Sequence, residues 1–220
     1  MTHENFTDKA AGTVQPPMRL PVFLLVVLAG IGPFSMIAVA PLIPTLTADF
    51  NTSYGTAQLV LSVYFALFAI AQLVLGPLSD RFGRRPVMLV AVASFAVGAL
   101  ASWLAPSIEV MILGRCLQAM GAAAGQVLTR VVLFDVYGRE RSATLIGYLT
   151  IAMVLGPMFA PAIAGLFAET VGWRYLFLMM LGVSVAAWFG VVRFLPETRW
   201  VGVPVGAKPQ GFFDGLPLLK

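Results

Sequence analysis

An activated nucleophile needs a base within reach and a metal needs clustered ligands, and this sequence is poor in both. His3 is the only histidine and Cys116 the only cysteine among 220 residues, which excludes a Ser-His pair inside the apolar part of the chain, a Cys-based zinc site and a disulfide framework. No two carboxylates stand together inside an apolar run. The residues that could do chemistry are a few polar groups in apolar surroundings. Gln58, Ser62, Phe65, Ala69, Gln72, Gly76 and Ser79 follow alternating steps of three and four, as do Arg115, Gln118, Ala122, Gly125 and Thr129, so each set shares one face of a helix. Both faces are expected to turn inward, toward neighbouring helices or a water-filled cavity. A guanidinium in mid-membrane costs about 2.5–3.5 kcal/mol to hold there, which makes Arg115 a candidate for handling substrate or protons. Arg130 lies within about two turns of the end of its run and is expected to snorkel to the interface.

The elements that must position these residues follow from composition. Apolar residues make up 59% of the chain and charged residues 11%, with a mean hydropathy of +0.89, against about 25% charged in soluble domains. A soluble globule is excluded, and most of the surface must face lipid. Apolar runs near the roughly 20 residues needed to cross a bilayer occur at 20–40, 54–78, 87–103, 108–134, 143–167 and 175–195. They are read as six helical spans, one to six. Turns are marked by Pro41 and Pro44 after span one, Gly83 and Pro86 before three, Pro106 before four, Gly138 before five and Gly172 before six. Span three has only Ser94 and Ser102 as polar side chains and reads as peripheral and lipid-facing. Gly156-Pro157 and Pro161 should kink span five, while Gly121 and Gly125 should let another backbone approach span four.

Of the fourteen Lys and Arg residues, eleven flank one side of the spans: Lys9, Arg19, Arg81, Arg84, Arg85, Arg139, Arg141, Arg193, Arg199, Lys208 and Lys220. The opposite connections, 41–53, 105–107 and 168–173, carry none. The positive-inside rule therefore places both termini in the cytoplasm. The chain divides into a cytoplasmic tail over 1–18, a six-helix bundle over 19–195 and a proline-containing cytoplasmic connector over 196–220. The basic residues form short scattered clusters with no stripe, so nucleic acid is not an expected partner despite a net charge of +4.

The segment Gly76-Pro-Leu-Ser-Asp80-Arg-Phe-Gly83-Arg-Arg85 after span two repeats, displaced by 89 residues, as Gly165-Leu-Phe-Ala-Glu169-Thr-Val-Gly172-Trp-Arg174 after span five. The shared pattern G-x-x-x-[DE]-x-x-G-x-R falls on opposite sides of the membrane, as expected if spans one to three and four to six are inverted copies. Such three-plus-three inverted repeats are a signature of transporters.

The same segment, with Gly76, Asp80, Arg81, Gly83, Arg84 and Arg85, resembles motif A of the major facilitator superfamily. The stretch 111–123, with Arg115, Gln118 and Gly121, resembles that family's motif B, and Gly156-Pro157 its antiporter-associated motif C. Together with Gln72, Pro161 and Trp173-Arg174, these motifs are similar to the bicyclomycin-resistance type (Bcr/CflA) of drug:proton antiporters. The resemblance implies an all-α membrane protein of six transmembrane helices, a 3+3 inverted repeat forming the amino-terminal half of a twelve-helix major facilitator fold. It further implies pairing of Arg84 with Asp135, and contact of Asp80 with a second bundle. Ala119 replaces a motif B glycine, while Ala152, Ala160 and Pro161 replace motif C glycines. Ile37 stands where that subfamily often carries an aspartate, so no proton-carrying carboxylate is supplied there.

These readings predict a secondary active transporter, not an enzyme, exporting amphipathic drugs or other small molecules by alternating access. No cofactor is expected; a proton gradient is the expected energy source, with Arg115, Gln118, Gln72 and Gln58 on the substrate or proton pathway. The expected partners are a small-molecule substrate, membrane lipid and a second six-helix half, either a missing carboxy-terminal half or a second copy. The bacterial cytoplasmic membrane is the expected location. On this expectation the chain alone is half of the machine.

Overall fold

The computed structural model describes residues 20–198, without the side chains of residues 139–141; the tail over 1–18 and the connector beyond Thr198 lie outside them. Six helices long and apolar enough to cross a membrane occupy Val22–Asp49, Tyr54–Phe82, Arg84–Trp103, Ile108–Gly138, Ser142–Thr170 and Arg174–Phe194. These are the six expected spans, several of them extended by a turn or more. The described residues contain no strand, and the protein is an integral membrane protein.

Local sequence explains where the helices begin and end. Ser53 has extended backbone and its Oγ accepts from the Thr56 amide at 3.1 Å, capping span two. Gly83 at φ 101° ends that span, and Gly172 at φ 100° stands between spans five and six. Both dihedrals belong to glycine. These two glycines occupy matching places in the 89-residue repeat, so the inverted copies share a positive-φ glycine as well as a pattern. Gly138, at φ 67° and ψ −178°, is the single break in a helical run that otherwise continues from Ile108 to Thr170.

Two expectations change. The segment 41–53, expected as a connection, holds a 3₁₀ turn over Ala40–Leu42 and a short helix over Ile43–Asp49, because Pro41 and Pro44 fall in first turns, where a missing N–H costs nothing. Helical dihedrals run unbroken through Gly156, Pro157 and Pro161 of span five. Span three is not predominantly lipid-facing. Within the most apolar windows, 44% of its residues are buried, against 11% for span five. Small residues mark its packed face: Ala91, Gly98, Ala99 and Ser102 are buried, Gly98 and Ser102 beside Gly114 of span four and Ala91 beside Gly121, leaving Val90, Val97 and Leu100 outside.

Span four is the central post. Ala119, Ala122, Ala123 and Ala124 are fully or almost fully buried, and spans one, two and three all pack on it. A Cβ at Gly121 would strike the Ala91 carbonyl and the Phe95 amide of span three, and one at Gly125 the Leu28 carbonyl of span one. The G-x-x-x-G pair thus admits two different neighbours. Lipid supplies no hydrophobic drive to bring helices together, so close approach through small residues is what holds such a bundle.

Candidate functional site

The polar residues separate into a buried cluster, an open face and a ring of charges at one end. Arg115 heads the first. It is fully buried between spans one, two and four. Its Nη1 donates to Ser35 Oγ at 2.7 Å and to Gln118 Oε1 at 2.8 Å, its Nη2 to the Ser35 carbonyl at 3.1 Å and its Nε to the Val60 carbonyl at 3.4 Å. The guanidinium carbon lies 3.9 Å from the centre of the Tyr64 ring, and Tyr64 donates its own hydroxyl to the Gly32 carbonyl at 3.0 Å. The expectation that Arg115 faces a cavity is therefore corrected: dipoles and a ring face surround the charge. Gln118 is buried with it; Thr129, about 21 Å farther along span four, is buried separately, its hydroxyl donating back to the Gly125 carbonyl at 2.6 Å. Ser35 and Tyr64 were not foreseen. Ser35 is one hydroxyl in an apolar run, and Tyr64 lies off the polar stripe of span two, so only the helix packing reveals them.

The polar stripe of span two does not join that cluster. Val60, Leu61, Tyr64, Phe68 and Ala71 form its buried side, whereas Ser62, Phe65 and Ala69 are exposed and Gln58 and Gln72 are half-buried. The Ser62 hydroxyl returns to the Gln58 carbonyl at 3.2 Å. Gln72 reaches across to span four, where its Nε2 donates to Gln126 Oε1. Gln126 in turn approaches Met153 Sδ of span five at 4.0 Å, and Arg130 Nη2 reaches the same sulfur at 3.4 Å. Around this group the surface is apolar and open: Ile151, Val154, Met158 and Phe159 of span five are all more than half exposed. Gln126 was missed because its neighbours are small, although it lies one helical turn before Arg130. Gly156, Pro157 and Pro161 lie on span five, where a Cβ added at Gly156 would make ordinary van der Waals contact with Gly30 and Phe34 of span one.

At the end of the bundle holding residues 80–85, Arg84 Nε donates to Asp135 Oδ2 at 3.1 Å, the pairing expected above. Arg84 Nη1 also donates to Ser79 Oγ at 2.7 Å and pairs with Asp80. Arg81 lies over the Phe82 ring at 5.3 Å. Glu197, which no sequence argument singled out, completes this end. Its two carboxylate oxygens accept from the backbone amides of Arg84 and Arg85 at 2.9 and 3.2 Å, capping the otherwise unsatisfied start of span three. Arg85 Nη2 donates to the Val192 carbonyl at 2.6 Å, and Thr198 Oγ1 to Asp135 Oδ2 at 3.3 Å. Gly83 must remain small, since a Cβ there would lie 2.6 Å from Glu197 Oε2; Gly76 has open space beside it.

The opposite end repeats this plan with other atoms. Trp173, the repeat partner of Arg84, donates its indole N–H to Asp49 Oδ2 at 2.6 Å. Arg174, the partner of Arg85, donates Nη2 to the Ala105 carbonyl at 3.0 Å. Each arginine thereby ties its loop to the end of a neighbouring helix.

The sequence matches the description of the Major Facilitator Superfamily over residues 23–217. Among curated relatives, it is 32% identical over 183 residues to multidrug resistance protein D of Escherichia coli (strain K12), covering 83% of this chain and 46% of that protein. It is 38% identical over 164 residues to a chloramphenicol resistance protein of Pseudomonas aeruginosa, covering 72% and 38%. The chain thus spans about half the length of the curated relatives it matches. The fold also matches a crystal structure of the peptide transporter POT with a TM-score of 0.72 at 16% identity, over 92% of this chain and 44% of that one. With six membrane-length helices, an inverted repeat and this family match, the chain belongs to the Major Facilitator Superfamily of transporters.

Proposed function

We propose that this chain forms one half of a secondary active transporter that exports amphipathic small molecules in exchange for protons by alternating access. One observation carries the reading: Ser62 and Phe65 of span two and Ile151, Val154, Met158 and Phe159 of span five are exposed, with Gln58 and Gln72 half-buried on the same stripe of span two. Lipid is a poor neighbour for side-chain amides with donor and acceptor capacity left over, so a second six-helix bundle is the better occupant, either a carboxy-terminal continuation or a second copy. The mixture of amides with Met and aromatic side chains suits substrates of varied shape. The relatives named for multidrug and chloramphenicol resistance support drugs as the substrate class.

Among the described residues every span carboxylate lies within three residues of a span end: Asp49, Asp80, Glu109, Asp135 and Glu169. We therefore assign the proton-carrying carboxylate to the second bundle. Arg115 and Gln118 hold spans one, two and four in register behind the pathway. Arg84, Asp135 and Glu197 latch the loop of residues 80–85, with both termini in the cytoplasm of a bacterial inner membrane.

The test is accumulation of labelled chloramphenicol in efflux-deficient bacteria making this chain, either alone or continued into a second six-helix bundle. With the second bundle present, accumulation should fall and a protonophore should restore it. Unchanged accumulation at verified membrane abundance, in both forms, would contradict the reading.

A further inference from the structure

We propose that Arg130, Gln126, Gln72 and Met153 form a subsite for the anionic or electron-rich end of the transported molecule, so that the pathway selects anions and neutral compounds over cations. The proposal rests on the transport reading above and narrows its substrate class.

Depth comes first. Arg130 lies eight residues before the end of span four at Gly138, and Met153 eleven residues after the start of span five at Ser142. At 1.5 Å per residue those positions are about 12 and 16 Å from the same end of the bundle. Snorkelling would carry the guanidinium outward toward that end. Its Nη2 contacts Met153 Sδ of span five at 3.4 Å. In an α-helix the Cα–Cβ bond tilts toward the N-terminus, which for span four is the opposite end, so the Arg130 side chain sets out inward. Gln126 and Gln72 lie about 18 and 15 Å from that end. These spans are about 43–47 Å long and overhang a hydrocarbon core of roughly 30 Å, so the four side chains converge in the half of the core nearer that end.

Charge is the second observation. Arg130 is exposed on the open face, and a thioether is a weak acceptor that leaves most of its donor capacity unused. No described carboxylate lies in the middle of any span to oppose it. In a water-poor environment a fixed cation draws anions and repels cations strongly. A planar guanidinium also presents two parallel N–H groups suited to a carboxylate, sulfonate or phosphate. Gln72 and Gln126 bring neutral donors and acceptors beside it, and Met153 an adaptable apolar wall.

The experiment uses the 220-residue chain in a neutral detergent and three probes on one ring system: 2-naphthalenesulfonate, 2-naphthyltrimethylammonium and 2-naphthylmethanol. Equilibrium dialysis against detergent alone measures protein-dependent binding. The sulfonate should bind at least about tenfold more tightly than the ammonium probe. Arg130→Gln should remove that preference, Arg130→Lys should keep most of it, and Gln126→Leu should weaken all three probes. Because Arg130 is exposed, the Gln variant should retain the wild-type elution profile and helix content. Equal binding of sulfonate and ammonium by wild type, or a preference unchanged in Arg130→Gln, would overturn the subsite. Binding of the neutral probe without charge preference would do so while leaving the transport reading intact. Failure to bind any probe would overturn the subsite and remove support from that reading too.

Discussion

The Arg115 cluster predicts a specific energetic coupling. Tyr64 contributes a hydroxyl bonded to the Gly32 carbonyl at 3.0 Å and a ring face 3.9 Å from the Arg115 guanidinium carbon. Tyr64→Phe removes only the hydroxyl, which for interhelical bonds in membranes costs about 0.6–1.7 kcal/mol. Tyr64→Leu also removes the ring, and a desolvated cation–π contact adds about 2 kcal/mol beyond the change in packing. Packing is common to any background, whereas the cation–π part needs the cation. In an Arg115→Met background the gap between Phe and Leu should therefore shrink by about 2 kcal/mol, or roughly thirtyfold in the unfolding constant. Unfolding in mixed detergent and SDS micelles, followed by tryptophan fluorescence, reads this double-mutant cycle. An equal Phe–Leu gap in both backgrounds would refute the argument that the ring face carries the buried charge.

Other consequences are local. Arg84→Asp and Asp135→Arg should each lower drug efflux by the two-bundle protein while changing its melting temperature little, since a pair near the interface is worth about 1 kcal/mol or less; a double swap that restores nothing would argue against direct pairing. Gly83→Ala should destabilise more than Gly172→Ala in thermal melts, because both incur a positive-φ cost of about 1–3 kcal/mol but only Gly83 would meet Glu197. Glu197→Gln should speed amide exchange at Arg84 and Arg85, and unchanged rates would remove its capping role. Trp173→Phe should speed exchange across residues 43–53 by loosening the Asp49 contact, with no effect on residues 80–85.

Much of the architecture was legible because its signals are local and periodic. Span lengths and the turn glycines at 83 and 172 each follow from a short stretch of chain. The Arg84–Asp135 contact was foreseen because the resemblance implied it. What stayed hidden depends on which helix meets which. Arg115 reads from its depth alone as a cavity residue, yet Ser35 on span one and Tyr64 on span two enclose it. Span three reads as peripheral when polar side chains are used as the marker, yet Ala91, Gly98 and Ala99 bury it by being small. Glu197 lies just past an apolar run, where a carboxylate carries no periodic signal, and only the fold brings it to the amides of Arg84 and Arg85. Arg130 reads from its position as a residue near an interface, and only the fold brings Met153 of span five against it.

The central claim, that the uncovered faces of spans two and five line a pathway driven by protons, is tested most directly in proteoliposomes. This chain joined to a second six-helix bundle would be reconstituted, a pH gradient imposed, and labelled drug followed into the lumen. The account predicts accumulation that rises with the gradient, collapses when the gradient is dissipated, and falls when Gln72 and Gln126 are both replaced by Leu. Uptake that matches protein-free vesicles, or that ignores the gradient, would contradict it.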